Sequence, residues 1–127
     1  MARYIDDAKG FYQEAVKEFE RGVAENNLRV IRDAAEKAWN AIVQATNELM
    51  EKRGMPIPRT HHERRMGLLE LERSDLRLKE MGFRDRFGAR EKYLHEDCFY
   101  DGFCPVEVVE EEIIHKVKSY IEDIERI

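Results

Sequence analysis

Arg90 and His95 stand five positions apart in the stretch Arg90-Glu91-Lys92-Tyr93-Leu94-His95, and their chemistries complement each other. An arginine grips a phosphate through a charge it does not lose, and a histidine exchanges a proton near neutrality. Metal-free cleavage of RNA needs both: a cation on the phosphate and a group that moves a proton. On a regular helix five residues advance the direction by about 140°, so the two side chains diverge, whereas a spacing of four would nearly align them. Either the helix ends between them or each finds its partner elsewhere. The plainer alternative is a helix-end Arg on a solvated face and a His satisfied by a nearby carbonyl.

A second group of candidates precedes this pair. His61 and His62 lie beside Arg59, Arg64 and Arg65 at the expected start of a helix, where free amides and the helix dipole attract anions. They suit a phosphate or nucleotide contact; the alternative is that Thr60 only caps the helix and His61 packs inside. The formal charge of -5 is unevenly spread. From Lys52 to Lys92 there are twelve Lys and Arg against seven Asp and Glu, and the remainder holds ten basic and twenty acidic residues. An acidic protein with one basic segment, which includes Arg86 and Lys92, suits a phosphate chain held locally and not a general coat for nucleic acid. Ordinary surface pairs such as Glu80 with Arg84 are the competing explanation. His95, Cys98, Cys104 and His115 are zinc-compatible types, but their spacing does not form the tight pairs of a structural site. No metal or other cofactor is therefore expected, and the two cysteines read as reduced packing residues, with a Cys98–Cys104 disulfide as the alternative.

The elements that must position these residues follow from apolar spacing. Ala8, Phe11, Tyr12, Ala15, Phe19 and Val23 recur at helical steps and predict a first helix from about Ile5 to Ala24. After an Asn26-Asn27 cap, Val30, Ile31, Ala34, Ala35, Ala38, Trp39, Ile42, Ala45 and Leu49 predict a second, ended by Gly54, Pro56 and Pro58. Its alanines and Trp39 offer apolar surface for a neighbouring helix or a second copy of the chain. Thr60-His61-His62-Glu63 is a capping box in which Glu63 returns to the Thr60 amide. The third helix turns Met66, Leu69, Leu76 and Leu78 inward and is kinked or broken near Met81-Gly82, resuming from Phe83 to about His95. Cys98 to Cys104 reads as a loop. Pro105 at a first helical position opens a last helix with Val106, Val109, Ile113, Val117, Tyr120, Ile121 and Ile124 inside. One domain over residues 1–127, all-α, as an antiparallel four-helix bundle, is the expected architecture.

Two segments in order, Gly54-Met55-Pro56-Ile57-Pro58-Arg59-Thr60-His61 leading into Leu68-Leu69, and Arg90 to His95 leading through an aromatic loop, resemble the HEPN superfamily. The run from Leu94-His95 through Phe99-Tyr100-Asp101-Gly102 to a Glu- and Val-rich final helix is most similar to the archaeal PaREP family. The resemblance covers nearly the whole chain. It implies a four-helix bundle that dimerises and a metal-independent ribonuclease whose Arg-x4-His motifs meet at a dimer interface. His95 would then assist attack by the RNA 2′-hydroxyl, and Arg90 would stabilise charge on the phosphorane oxygens. Arg59, His61, Arg64, Arg65, Arg86, Lys92 and Tyr100 would contact RNA or nucleotide. Glu91 replaces the family's common Asn, so its charge calls for an Arg or Lys partner; Asp97 replaces a common Tyr. A non-catalytic binding or assembly module, working with a nucleotidyltransferase, is the alternative that the same resemblance implies.

Charged residues at 39% and hydrophobic ones at 43% describe an ordered, charge-rich chain and not a disordered one. Abundant Lys, Arg and Glu point toward a thermophilic source. There is no membrane-spanning run, and no basic segment followed by an apolar one at the start, so a cytoplasmic protein is expected.

Overall fold

The computed structural model describes residues 3–127, and among them the chain forms helices and connections with no strand. Helix α1 (Arg3–Ala24) buries Ile5, Ala8, Ala15 and Phe19. Asn27 opens α2 (Leu28–Lys52) by accepting from the Val30 amide at 3.3 Å, which satisfies one of the donors that a first helical turn leaves free. The two helices run antiparallel: Gly22 backs onto Ile31 near the turn, and Glu18 pairs with Lys37 further along. Val23, expected inside, is exposed, because Gly22 makes the contact with α2 in its place.

Helix α2 is the axis of the fold. The whole expected stripe from Val30 to Leu49 is buried, and so are Ala41, Val43 and Met50. The apolar surface that suggested a second copy of the chain is therefore covered within a single chain, with Trp39 only 1% exposed. The helix closes as foreseen at Gly54, whose φ of 69° lies in the left-handed region. The Gly54 amide donates to Glu51 O at 3.0 Å and the Met55 amide to Met50 O at 2.9 Å, the paired bonds of a Schellman ending.

Helix α3 (His61–Ser74) starts at Thr60, whose hydroxyl accepts from the Glu63 amide at 3.0 Å. Glu63 reaches one residue further back than expected and accepts from the Arg59 amide at 2.8 Å. The inward residues are Arg64, Leu68 and Leu71, while Met66 and Leu76 are exposed. This corrects the expected face, and for Leu76 the reason is a break that was not anticipated. Asp75 ends α3 and caps α4 (Leu76–Met81), accepting from the Arg77 and Leu78 amides, so Leu76 begins a new helix with a new facing. The expected break at Met81-Gly82 is present: Gly82 has φ 69° and separates α4 from α5. It also parts Glu80 from Arg84, which removes the helical geometry their pairing needs.

Helix α5 is α-helical over Phe83–Arg90 and continues without interruption as a π-helical stretch, Glu91–Tyr100. In that stretch hydrogen bonds span five residues, and Lys92 pairs with Asp97, five positions on, at 3.0 Å. The helix thus runs past His95 and takes up Cys98 and Tyr100, which the sequence assigns to a loop. The connection is 101–105, closed by a Cys98–Cys104 disulfide, so these cysteines are not the reduced residues expected. Pro105 is the residue before helix α6, not its first residue. That helix is α-helical over Val106–Glu110, π-helical over Glu111–Val117 and α-helical again over Lys118–Glu125. It runs parallel to α2, with the Thr46 and Tyr120 hydroxyls 2.8 Å apart and Lys52 donating to Ile124 O at 3.0 Å. Helix α5 runs antiparallel to α2: Phe87 packs on Trp39, and Arg32 binds the carbonyls of Phe99 and Tyr100. No helix among the described residues is long and apolar enough to cross a membrane.

Candidate functional site

Where α2, the start of α3 and the π-helical end of α5 meet, two imidazoles lie edge to face with ring centroids 5.3 Å apart. His95 comes from α5. Its Nδ1 is 2.8 Å from Glu36 Oε1 on α2, and its ring stacks at 5.5 Å on Trp39. His61 is the first residue of α3 and meets Trp39 edge-on at 5.0 Å. Trp39 is thus an apolar floor under both rings. Tyr100, 64% exposed, meets the His95 ring edge-on at 4.9 Å and stands at the mouth.

Each histidine is held by a charged neighbour of opposite kind. Arg64 lies one helical turn after His61, and its Nη1 is 3.3 Å from His61 Nδ1. The same guanidinium donates from Nε to Asn47 Oδ1 at 3.2 Å and from Nη2 to Pro58 O at 3.3 Å, and the residue is only 7% exposed. Burial lowers the pKa of His61 below its ordinary value, and Arg64, His95 and Arg65 push the same way while Glu91 opposes them. Arg32 fixes the far end of α5, donating to Phe99 O at 2.8 Å and to Tyr100 O at 2.9 Å, where a helix end leaves carbonyls without partners.

The remaining sequence candidates are dispersed. Arg90 does not join His95: it is 5% exposed and points to α6, where its Nε donates to Glu112 Oε1 at 2.6 Å and its Nη2 to Oε2 at 3.3 Å. The regular α-helix does end at Arg90, and each member of the motif also has a partner on a different helix. Glu91 has the basic partner its position calls for, since Arg65 Nη1 contacts both its oxygens at 2.7 and 2.9 Å. Arg86 pairs with Asp123 at 2.9 Å and lies over the rings of Phe83 and Tyr120. Lys92 is exposed and paired with Asp97; Arg59 is exposed. Of the basic candidates, Arg64 and Arg65 are therefore nearest the two-histidine cleft. The sequence reading missed Glu36, and the available signal was its place three residues before Trp39, on the flank of the α2 stripe. A groove of about 530 Å³ between Met50, Met55, Ile57, Met66 and Leu69 contains neither cleft histidine.

Chemically, the cleft offers a carboxylate-bound imidazole, a second imidazole beside an arginine, and an exposed aromatic ring. Such a set can orient an anion and move a proton, and Tyr100 can stack a base. Comparison with models of known families, with curated proteins and with solved structures finds no match. The likeness to HEPN and PaREP proteins therefore rests on the motifs quoted above.

Proposed function

We propose that this protein interacts with RNA or nucleotides and cleaves RNA without a metal, using the 2′-hydroxyl as nucleophile and His95 for proton transfer. The observation that carries the reading is the 2.8 Å contact between His95 Nδ1 and Glu36, in a cleft shared with His61 and Tyr100. A carboxylate behind an imidazole orients the ring and balances the charge that forms when it takes a proton. In this reading the helices form a HEPN-like four-helix bundle, the protein is a cytoplasmic homodimer, and α2 is not its interface. The exposed apolar residues that pairing could use include Tyr93, Phe103 and Val108, which line one groove.

Purified protein incubated with mixed RNA across pH 5 to 9 should give fragments ending in a 2′,3′-cyclic phosphate, with EDTA having no effect. RNA left intact throughout would discard the nuclease. One observation favours a second reading, a binding or assembly module that partners a nucleotidyltransferase. Arg90 is buried and already bound to Glu112. An inactive protein that still binds single-stranded RNA, with affinity falling as salt rises, would support the module.

A further inference from the structure

We infer that His61 serves the cleft as a neutral hydrogen-bond donor to the phosphate, taking the charge-stabilising part that the family resemblance gives to Arg90, while His95 is the base. The inference rests on the phosphodiester reading above and adds to it the division of labour between two rings. Hydrogen-bond chemistry separates them. A carboxylate only accepts, so His95 Nδ1 facing Glu36 carries a hydrogen, and the lone pair of the neutral ring is on Nε2. A guanidinium only donates, so His61 Nδ1 facing Arg64 accepts, and the hydrogen of that ring is on Nε2. Two residues of one type, with centroids 5.3 Å apart, thus hold opposite tautomers. One offers a lone pair and the other an N–H.

Arg64 is not free to release this arrangement, because it is more than nine-tenths buried and its other nitrogens are engaged by Asn47 and Pro58. Burial and the nearby cation Arg64 also disfavour a second proton on His61; His95 and Arg65 act the same way, and Glu91 opposes them without reversing the direction.

His95 Nε2 takes the proton of the 2′-hydroxyl as that oxygen bonds to phosphorus. The bond from phosphorus to the 5′-oxygen breaks with its electron pair, and the departing oxygen takes a proton from solvent water. The hydroxide formed collects the proton from the His95 imidazolium, which restores the base. Throughout, His61 Nε2–H donates to a non-bridging oxygen and gives up no proton, so its benefit grows as charge builds there.

Nitrogen-detected imidazole NMR of the intact protein tests the tautomers directly, and kinetics tests the role. At neutral pH His61 should show a hydrogen on Nε2 and His95 one on Nδ1. His61→Ala should lower kcat on the order of a hundredfold, as for loss of one preorganised donor, while the limb of the pH profile set by the base stays where it was. His61→Gln, whose amide keeps an N–H, should recover part of that loss. An Nδ1–H or doubly protonated His61 at neutral pH, or a pH limb that vanishes in His61→Ala, overturns the inference. If the parent protein leaves RNA intact, the nuclease reading fails separately, and inorganic phosphate becomes the probe. A phosphate-dependent shift of the His61 Nε2–H resonance supports the donor role, and an unmoved resonance overturns it.

Discussion

The two ends of the Arg90–His95 stretch have the same kind of partner and opposite surroundings. Each side chain meets one glutamate, Arg90 meeting Glu112 on α6 and His95 meeting Glu36 on α2. The Arg90 and Glu112 side chains are 6% and 3% exposed, whereas those of His95 and Glu36 are 16% and 24%. That difference separates structure from chemistry. Drawing Arg90 away to touch a phosphate would leave Glu112 charged inside the fold, with only Lys116 at 3.6 Å to offset it. His95 keeps its glutamate while its ring remains beside the exposed Tyr100, so binding a substrate breaks nothing already formed. Five residues of sequence are a short distance, yet the helices on which the two side chains rest decide which one is available.

The largest expected effect is at the open end. His95→Ala should reduce RNA cleavage by about a hundredfold to ten-thousandfold and destabilise the fold far less than Arg90→Ala does. Comparable losses of activity and stability would erase the distinction between the ends. At the closed end the order reverses. Arg90→Ala should cost roughly 3–5 kcal/mol in denaturant unfolding, because Glu112 loses its partner in the interior. From sequence alone one would expect this substitution to spare stability; burial is what changes the expectation. The double variant Arg90→Met with Glu112→Leu should recover most of the stability, since an apolar pair can replace a buried ion pair. Its activity then answers the sharper question. Cleavage retained in a stable double variant assigns Arg90 to the fold, and cleavage lost assigns it to the phosphate.

Much of this organisation can be read from residue types and spacing. The stripes of α1 and α2, the endings at Gly54 and Gly82, and the cap at Thr60 each follow from a local rule, because an apolar period or a left-handed glycine acts over a few residues. The exposure of Leu76 was not legible, since Asp75 ends α3 and opens a new helix by accepting from two amides. The length of α5 was missed because its last ten residues are π-helical, a geometry with no periodic signature in the chain. The site was legible only in part. His61 and His95 drew attention by type, and Arg64 stands one helical turn after His61 in the same segment, but the partner of His95, Glu36, is chosen by how α2 and α5 cross, which no spacing within one segment reveals.

The disulfide offers an intermediate test of the same contrast. Cys98 and Cys104 close a short loop, and they do so beside Tyr100 and the end of α5 that carries His95. Loop-closure entropy makes such a bond worth about 2 kcal/mol. Reduction should lower stability by that order, and the change should be local. Amide exchange measured before and after reduction should quicken around residues 96–103 and stay slow around Phe87 and Arg90, which are buried against α2 and α6. Equal acceleration at both ends would mean that the helix opens as one unit and that the contrast is confined to side chains.

The smallest effect concerns acid. His61 has a folded-state pKa below its ordinary value of 6.5, chiefly through burial and then through Arg64, so the fold prefers the neutral ring. The sign follows from proton linkage: the unfolded chain binds this proton more readily, so stability contributed by the neutral ring is present above pH 6.5 and is lost as pH falls through the lower folded value. Urea midpoints at pH 7.5 and 5.5 should therefore differ, the acid midpoint being lower. His61→Gln should narrow that difference, because the amide has no proton to gain. Arg90→Met with Glu112→Leu supplies the control, since neither of its substitutions touches His61 and the acid sensitivity should persist. If His61→Gln leaves the pH difference untouched, the acid sensitivity belongs to other groups, and His61 is not held neutral by the cleft.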